Sequence, residues 1–406
     1  MTLARLSPFT FLLINLAACS FREEISPAPL GSGSTGGSAS SAVSVSGSSG
    51  GEGGGAPAPL RACEGSSLLP VAEDPAVRGP WPVGARTVTL AGLTTEVWYP
   101  APLGSEAGKA KVRYDLRTHL PDADQGKIPD ADNPYQDCDC YRDLPIDAEH
   151  GPYPLVVFIH GTAAFRTQSA TQMTHWASRG FVVVAADHPG IGLKDVLGGT
   201  FGNADQSGDA TKLLDALATP AGEAAFLGTS IAKGRSAVAG HSAGGGALAT
   251  LGDHPGVKVL IPLAAKGTVA GSALVSTLIM GAMDDGIVAY SNQVSGYASS
   301  PKRKRLVGLT NAGHLAFSDL CFIGRDKGGI LQVAIDHGIM VSPIVASLAR
   351  DGCMMGQLPA EKGWAIVNSA TTAALEETLA CGGSSAAKLA GIKAAYPEVG
   401  EYQESL

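Results

Sequence analysis

Charged side chains are scarce in this chain of 406 residues, and no excess of basic residues is present. Only 16% of the residues are Asp, Glu, Lys or Arg, and the formal net charge is −8. Nucleic-acid binding needs a basic surface that neutralises phosphates, so we predict no nucleic-acid partner. One basic run, Lys302-Arg303-Lys304-Arg305, precedes an apolar strand candidate. It is interpreted as the solvated start of that strand, with a patch for an anionic partner as the alternative.

The apolar run near the N-terminus, Phe9 to Ala18, is too short to remain as a membrane span. It follows Arg5, so residues 1–18 are typical of an export signal. The run ends in Leu16-Ala17-Ala18-Cys19, which resembles a bacterial lipobox. The resemblance implies acyl chains on Cys19, a membrane anchor, and, with Ser20 next, the periplasmic or surface face of the outer membrane. The alternative is an ordinary secretory signal with a chance cysteine.

Seven cysteines are present, and six remain once Cys19 is set aside for lipid. An even number in an exported chain predicts disulfides, but six cysteines allow 15 connectivities. Cys138 and Cys140 are so close in sequence that we expect each to bond elsewhere. We predict that at least one bridge joins Cys321, Cys353 or Cys381 to another of the six. The spacing does not match a zinc site, and no metal or cofactor is expected.

Composition divides the chain into a tether and a folded part. Residues 19–60 are rich in Gly and Ser and cannot bury enough apolar surface to fold, so they are predicted to be a disordered tether. Residues 61–400 are predicted to form a single domain and a monomer. Within them we name two segments: the insertion, residues 101–153, which is irregular, and the C-terminal extension, residues 320–400, which contains three cysteines and a helix predicted over Trp364–Leu379.

The rest of the folded part alternates between strand and helix patterns. Arg86 to Leu90 and Thr94 to Trp98 are β-rich runs separated by a turn, which predicts an N-terminal hairpin. From Pro154 onwards, short continuous apolar runs such as Leu155 to Ile159 alternate with helical segments. This pattern predicts an α/β fold with a mostly parallel central sheet flanked by helices.

The motif Gly240-His241-Ser242-Ala243-Gly244 lies between a predicted strand and a predicted helix. This is the context of a nucleophile elbow, in which glycines permit a sharp turn and Ser242 lies at the N-terminus of a helix. Free backbone N–H groups there favour a developing oxyanion. The pattern therefore predicts Ser242 as the nucleophile of an acyl-transfer reaction.

A serine nucleophile needs a base and an acid, in the chain order Ser, acid, His. His314 directly follows the last strand-like run, so it is the predicted base. Asp284 and Asp285 follow the strand before it, and either could orient the imidazole. The predicted oxyanion donors are the N–H of Ala243 and an N–H from the loop at His160-Gly161-Thr162.

Residues 154–318 resemble the α/β-hydrolase branch that includes cutinase-like polyester hydrolases, dienelactone-hydrolase-like proteins and platelet-activating-factor acetylhydrolases. The stretch from His160 to Thr167 is similar to the acetylhydrolases, and the motif at Ser242 continued by Gly245-Gly246 is closer to the polyester hydrolases. The resemblance implies the α/β-hydrolase fold, Asp285 rather than Asp284 as the acid, and the Thr162 N–H as the second oxyanion donor.

Each branch also shows a departure. The loop Ala264-Ala265-Lys266-Gly267 lacks the acid expected of the acetylhydrolases and the Trp expected of the polyester hydrolases, and position 242 is not the Cys of dienelactone hydrolases. The expected activity is hydrolysis of carboxylic esters, and the candidate substrates include polyesters and lipid-like esters. The alternatives are an amidase or peptidase on the same triad, or a non-catalytic surface lipoprotein. The insertion is a candidate lid.

Overall fold

The computed structural model describes residues 68–267, 271–301, 303–380 and 385–406. The predicted export signal, Cys19, the tether, Cys63 and Cys381 lie outside these residues. The described part begins with the predicted hairpin, formed by β1 (Val83–Leu90) and β2 (Leu93–Pro100). Ala91 and Gly92 connect the strands with φ angles of 51° and 82°. Two consecutive positive φ angles are what a two-residue turn needs to match the twist of the strands.

The further strands are β3 (Arg113–Tyr114), β4 (Gln136–Asp137), β5 (Tyr141–Arg142), β6 (Tyr153–Ile159), β7 (Val182–Ala186), β8 (Ile231–His241), β9 (Val257–Leu263), β10 (Ser276–Ala282), β11 (Lys304–Leu309) and β12 (Val399–Ser405). Among the described residues, ten strands form one sheet in the order β12-β11-β10-β9-β8-β6-β7-β2-β1-β5, and β3 and β4 pair separately. The pairings from β7 through β6 to β11 are parallel, and those of β1–β2, β2–β7 and β11–β12 are antiparallel. The predicted mostly parallel sheet is therefore confirmed.

Helices cover both faces of this sheet. Because side chains alternate along a strand, Val156 and Phe158 of β6 enter one core, and Leu155 and Val157 enter the other. The α-helices are α1 (Asp122–Gln125), α2 (Ala170–Ser178), α3 (Leu193–Gly198), α4 (Gln206–Ala218), α5 (Ala243–Gly246), α6 (Tyr290–Ser299), α7 (Ile330–Asp336), α8 (Pro343–Leu348), α9 (Ala360–Leu379), α10 (Ser385–Ala390) and α11 (Ile392–Ala395). Short 3-10 helices span Leu116–His119, Gly222–Leu227, Ala247–Asp253, His314–Phe317 and Arg325–Lys327. No described helix combines the length and apolarity needed to cross a bilayer.

The last strand was not predicted, and it lies at the limit of the predicted domain. β12 runs antiparallel to β11 and carries the sheet to Ser405, beyond residue 400. Its sequence, from Val399 through Glu401 to Glu404, has no apolar alternation because, after Val399, neither face of the strand is fully buried. The basic run next to it was interpreted too simply. Arg305 is buried and its guanidinium lies 2.6 Å from the Glu377 carboxylate, so it is not solvated.

The insertion packs against the main sheet. Trp98 of β2 donates its indole N–H to the Tyr114 hydroxyl over 3.1 Å, and Tyr114 donates to the buried Glu96 carboxylate over 3.0 Å. Cys138 and Cys140 form a disulfide with each other, so the expectation that each bonds elsewhere was wrong. Side chains at positions i and i+2 of an extended segment point the same way. Here the Cα atoms are only 5.2 Å apart, within the range that a disulfide accepts.

The prediction of a bridge from the C-terminal extension is confirmed, since Cys321 is bonded to Cys353. This bridge joins the segment that follows the His314 helix to the segment that follows α8. Thirty-two positions separate the two cysteines, so the bridge closes a long loop that contains α7 and α8.

Candidate active site

Ser242 lies in the sharp turn between β8 and α5, with φ 57° and ψ −120°. A residue other than glycine adopts positive φ only where the surrounding structure enforces it. The two motif glycines permit the turn. A Cβ atom on Gly240 would lie 2.4 Å from the carbonyl oxygen of Gly244, and one on Gly244 would lie 2.3 Å from that of Ile159. The turn presents the Ser242 hydroxyl at the carboxyl ends of the parallel strands.

His314 lies at the start of the 3-10 helix that follows β11, and its side chain is fully buried. Its Nε2 atom is 2.8 Å from Ser242 Oγ, and its Nδ1 atom is 2.8 Å from Asp285 Oδ2. A carboxylate can only accept, so Nδ1 carries the proton and Nε2 is left to accept from the serine hydroxyl. The structure therefore brings the predicted nucleophile, base and acid into one hydrogen-bonded chain.

The geometry separates the two candidate acids. Asp285 is buried, and its second oxygen accepts the backbone N–H groups of Ile287 and Val288 at 2.8 and 2.7 Å. These bonds fix the carboxylate in the orientation that reaches the imidazole. Asp284 is exposed, and its backbone N–H donates to the carbonyl of Ala312. Of these two carboxylates, that of Asp285 is the one hydrogen-bonded to the His314 side chain.

Two residues that were not predicted hold the backbone of His314. Asp351, in the C-terminal extension, accepts the N–H of His314 at 2.6 Å through Oδ1 and the N–H of Gly286 at 2.8 Å through Oδ2. One carboxylate thus joins the loop that carries the base to the loop that carries the acid. On the other side, His241 Nε2 donates to the carbonyl oxygen of His314 over 2.9 Å.

His241 is fixed as a neutral ring. Its burial, and secondarily the nearby His314, lowers the pKa of His241 to about 3. A neutral ring with its proton on Nε2 can hold the carbonyl without placing a second positive charge beside the imidazole that must accept a proton. Because His241 directly precedes Ser242, its position in the elbow motif was the sequence signal for this role.

The loop after β6, at Gly161 to Ala163, lies beside Ser242. Gly161 donates its N–H to Gln168 Oε1 at 3.0 Å, and Ala163 donates its N–H to the carbonyl of Ile191 at 2.9 Å. Between them, the N–H of Thr162 makes no hydrogen bond within the described residues. A Cβ atom on Gly161 would lie 3.1 Å from Ser242 Cβ, so this loop runs directly against the nucleophile. Ala243 is the first residue of α5, where backbone N–H groups have no partner within the helix.

Buried histidines hold this loop in place. His160 donates from Nδ1 to the carbonyl of Gly161 at 2.8 Å and accepts the N–H of His188 on Nε2 at 3.1 Å. Burial lowers the pKa of His160 to about 3, so the ring is neutral and can accept on one nitrogen while it donates from the other. Gln206 donates to the carbonyl of His160 at 2.8 Å. The amide of Thr162 is therefore positioned by bonds that involve its neighbours.

Comparison with known proteins finds a family model that matches part of the chain and a solved structure with a similar fold. A family model described as platelet-activating factor acetylhydrolase, isoform II, matches residues 134–190. No curated protein sequence matches the chain significantly. Among solved structures, a ferulic acid esterase from Streptomyces cinnamoneus is similar, with 18% sequence identity and a TM-score of 0.54. The match covers 78% of this chain and 93% of that one.

The family match includes the loop with His160-Gly161-Thr162 and ends before the elbow. The structural match spans most of both chains and shows the same fold. The chain therefore has the fold of that esterase, its residues 134–190 match the acetylhydrolase model, and Ser242, His314 and Asp285 form one chain of hydrogen bonds.

Proposed function

We propose that this protein is an esterase that cleaves carboxylic esters through a covalent acyl intermediate on Ser242. The observation that carries the proposal is the continuous contact from Asp285 through His314 to Ser242, with both links at 2.8 Å. A serine hydroxyl is a weak nucleophile unless a base can remove its proton during attack. Here the base is hydrogen-bonded to the hydroxyl, and the acid is hydrogen-bonded to the base.

In the first half of the reaction, Ser242 Oγ attacks the ester carbonyl as its proton moves to His314 Nε2. The carbonyl oxygen becomes an oxyanion, which the N–H groups of Thr162 and Ala243 stabilise. When the tetrahedral intermediate collapses, the bond from carbon to the alcohol oxygen breaks. His314 returns the proton to that oxygen, and the alcohol leaves.

In the second half, a water molecule attacks the acyl-serine ester and passes a proton to His314. Collapse of the second tetrahedral intermediate breaks the bond from Ser242 Oγ to the acyl carbon. The same proton returns to Oγ, and the carboxylic acid is released. Throughout, Asp285 stabilises the imidazolium and does not itself become protonated.

A fluorophosphonate probe and a para-nitrophenyl acetate assay test this proposal together. The wild-type protein should be labelled at Ser242, and Ser242→Ala should lose the label and at least about 10⁴-fold in kcat with an unchanged thermal melt. Ser295→Ala is the control, since Ser295 is exposed on α6 and lies outside the triad. Near-normal turnover by Ser242→Ala would refute the mechanism.

The same assay distinguishes the alternatives. An amidase or peptidase would hydrolyse para-nitroanilides at rates comparable with the matching esters, and a non-catalytic lipoprotein would neither turn over esters nor be labelled. We place ester hydrolysis first because of the family matched over residues 134–190.

We also propose that the protein is exported and anchored by lipid on Cys19 at the outer membrane. The support is the lipobox-like Leu16-Ala17-Ala18-Cys19 and the presence of two disulfides, which persist in oxidising compartments. Cys19→Ser should move the protein from the membrane fraction to the soluble exported fraction. Cys353→Ser is the control for loss of a cysteine, and it should leave membrane association unchanged. Unchanged membrane association of Cys19→Ser would contradict the anchor.

A further inference from the structure

An apolar cavity lies beside the catalytic residues. Two residues of its wall adjoin them in the chain, since Leu315 follows His314 and Ala163 follows Thr162. The cavity has a volume of about 90 Å³. This is small beside the roughly 300–1,000 Å³ of sites that bind drug-sized molecules, so the cavity suits a slender group. The wall of the cavity thus includes the residue next to the base and the residue next to the proposed oxyanion donor.

Segments outside the central sheet supply most of the wall. The insertion contributes residues from Leu116 to Pro134, and the C-terminal extension contributes residues from Leu320 to Ala349, chiefly through α7 and α8. Every lining residue is apolar except Arg117 and Asn133. The cavity is therefore formed mainly by these two segments, and its lining is mainly hydrocarbon.

The two polar residues of the wall are already engaged. Arg117 makes ion pairs with Asp115 at 2.6 Å and Asp130 at 2.7 Å. Asn133 donates to Asp115 at 2.8 Å, and its carbonyl oxygen is the one polar side-chain atom of the described lining that is buried without a partner. No free charge is available to hold a charged headgroup.

The wall also offers no free aromatic face. Among its described residues, the one aromatic ring is that of Phe165, which is already stacked on His119 with ring centroids 4.4 Å apart. An aromatic ring on the substrate would therefore find no open ring to stack on. Aliphatic side chains with no free charge are suited to an aliphatic chain.

We propose that this cavity binds one long aliphatic arm of the ester substrate, so that the enzyme prefers esters with an extended alkyl chain to acetyl esters of small alcohols. The inference rests on the proposed ester hydrolysis at Ser242. The arm can belong to the acyl group or to the alcohol, because the wall begins beside both the oxyanion loop and the base. In both cases the recognised chemistry is a hydrocarbon chain.

The helices of the extension allow matched variants. On α7, Ala334 lines the cavity and its neighbour Ile335 is 46% exposed. On α8, Val345 lines the cavity and its neighbour Ile344 is 81% exposed. Ala334→Phe and Val345→Phe should fill part of the cavity. Ile335→Phe and Ile344→Phe place the same ring on the outer side of the same helices.

The assay compares two ester series. In the first, para-nitrophenyl esters carry acyl chains of increasing length, and in the second, acetates carry alkyl alcohols of increasing length. In one series kcat/KM should rise about fourfold for each methylene that enters the cavity, as expected from burial of a methylene. Ala334→Phe and Val345→Phe should shift the optimum to shorter chains, so that kcat/KM falls more for the long esters than for the shortest one. The two exposed controls should keep the wild-type profile.

The outcomes separate this inference from the proposed function. If Ser242 takes the fluorophosphonate label and acetyl esters are cleaved, but neither series depends on chain length, the cavity does not bind the chain and the inference is wrong. If only the controls shift the profile, the inference is also wrong. Absence of both labelling and turnover would refute ester hydrolysis itself. Because the two filling variants lie on different helices, a folding failure in one, seen in its thermal melt, leaves the other to decide.

Discussion

Replacement of Asp351 should slow catalysis although this residue touches neither substrate nor nucleophile. Its carboxylate accepts the N–H of His314 at 2.6 Å and that of Gly286 at 2.8 Å, so it positions the base relative to the acid. A hydrogen bond to a charged group contributes about 1.5–3 kcal/mol. Gly286 is exposed, so water can replace that bond, and its contribution lies at the low end. The bond to His314 lies in a part-buried position, and its loss leaves an N–H unsatisfied.

For Asp351→Ala we expect kcat for para-nitrophenyl acetate to fall by about 10- to 100-fold, because a misplacement of about 1 Å near the reacting atoms can reduce the rate by about 100-fold. KM should change by less than about threefold, since Asp351 is not part of the proposed binding cavity. Asp351→Asn should fall between wild type and Asp351→Ala, because its amide oxygen can accept one of the two N–H groups and its NH₂ cannot accept the other.

The measurement combines steady-state kinetics, the rate of fluorophosphonate labelling and a thermal melt. Asp326→Ala is the control, since Asp326 is an exposed carboxylate in the same extension. If kcat of a folded Asp351→Ala variant stays within twofold of wild type, then Asp351 does not position His314. A rise in KM at constant kcat would likewise refute the reasoning, because it would indicate an effect on binding alone.

Three further predictions concern the acid, stability against pH, and the disulfides. Asp285→Asn should lower kcat by about 10⁴-fold and Asp284→Asn by less than about threefold, and the opposite ranking in the para-nitrophenyl acetate assay would reassign the acid. Burial raises the pKa of Asp319 to about 7, whereas an Asp in the unfolded chain releases its proton near pH 4. The folded state therefore holds a proton that the unfolded state has lost, and the free energy of unfolding falls by about 4 kcal/mol as pH rises from about 4 to about 7. Asp319→Asn should therefore stabilise the protein more at pH 8 than at pH 4.5 in urea unfolding, and an equal effect at both pH values would contradict the assignment. Replacing both cysteines of the Cys321–Cys353 pair by Ser should lower the free energy of unfolding by about 4 kcal/mol, and the same change at the Cys138–Cys140 pair by about 1 kcal/mol. The difference is expected because the chain-entropy effect of a disulfide grows with loop length. Equal losses in urea unfolding would argue against that model here.

The features predicted correctly from the sequence share a local signal. The hairpin at Ala91-Gly92 follows from two β-rich runs and a turn, and the parallel strands follow from continuous apolar runs. The residues brought together around Ser242 follow from a five-residue motif and from the order of residues at strand ends. In each case a few neighbouring residues contain the whole pattern.

The missed features depend on contacts between distant or irregular segments. Asp351 lies 37 positions after His314, in the turns between α8 and α9, so no helical or strand period indicates which side chain faces the active site. The pairing of Cys138 with Cys140 depends on a local bend that brings their Cα atoms to 5.2 Å, and this bend has no sequence pattern. The wall of the apolar cavity combines the insertion with the extension, and only the fold places the two side by side.

The strand β12 has a consequence for how the chain can be trimmed. It covers the outer side of β11, the strand that leads into the His314 loop, and Thr310 just beyond β11 donates its N–H to the carbonyl of Glu398. A protein shortened to residue 398 would leave the backbone N–H and C=O groups along one side of β11 unpaired. Such an open sheet edge is a template for strand addition by another molecule. The shortened protein should therefore self-associate. In the full chain, β12 pairs with this edge of β11 and so protects the protein against aggregation.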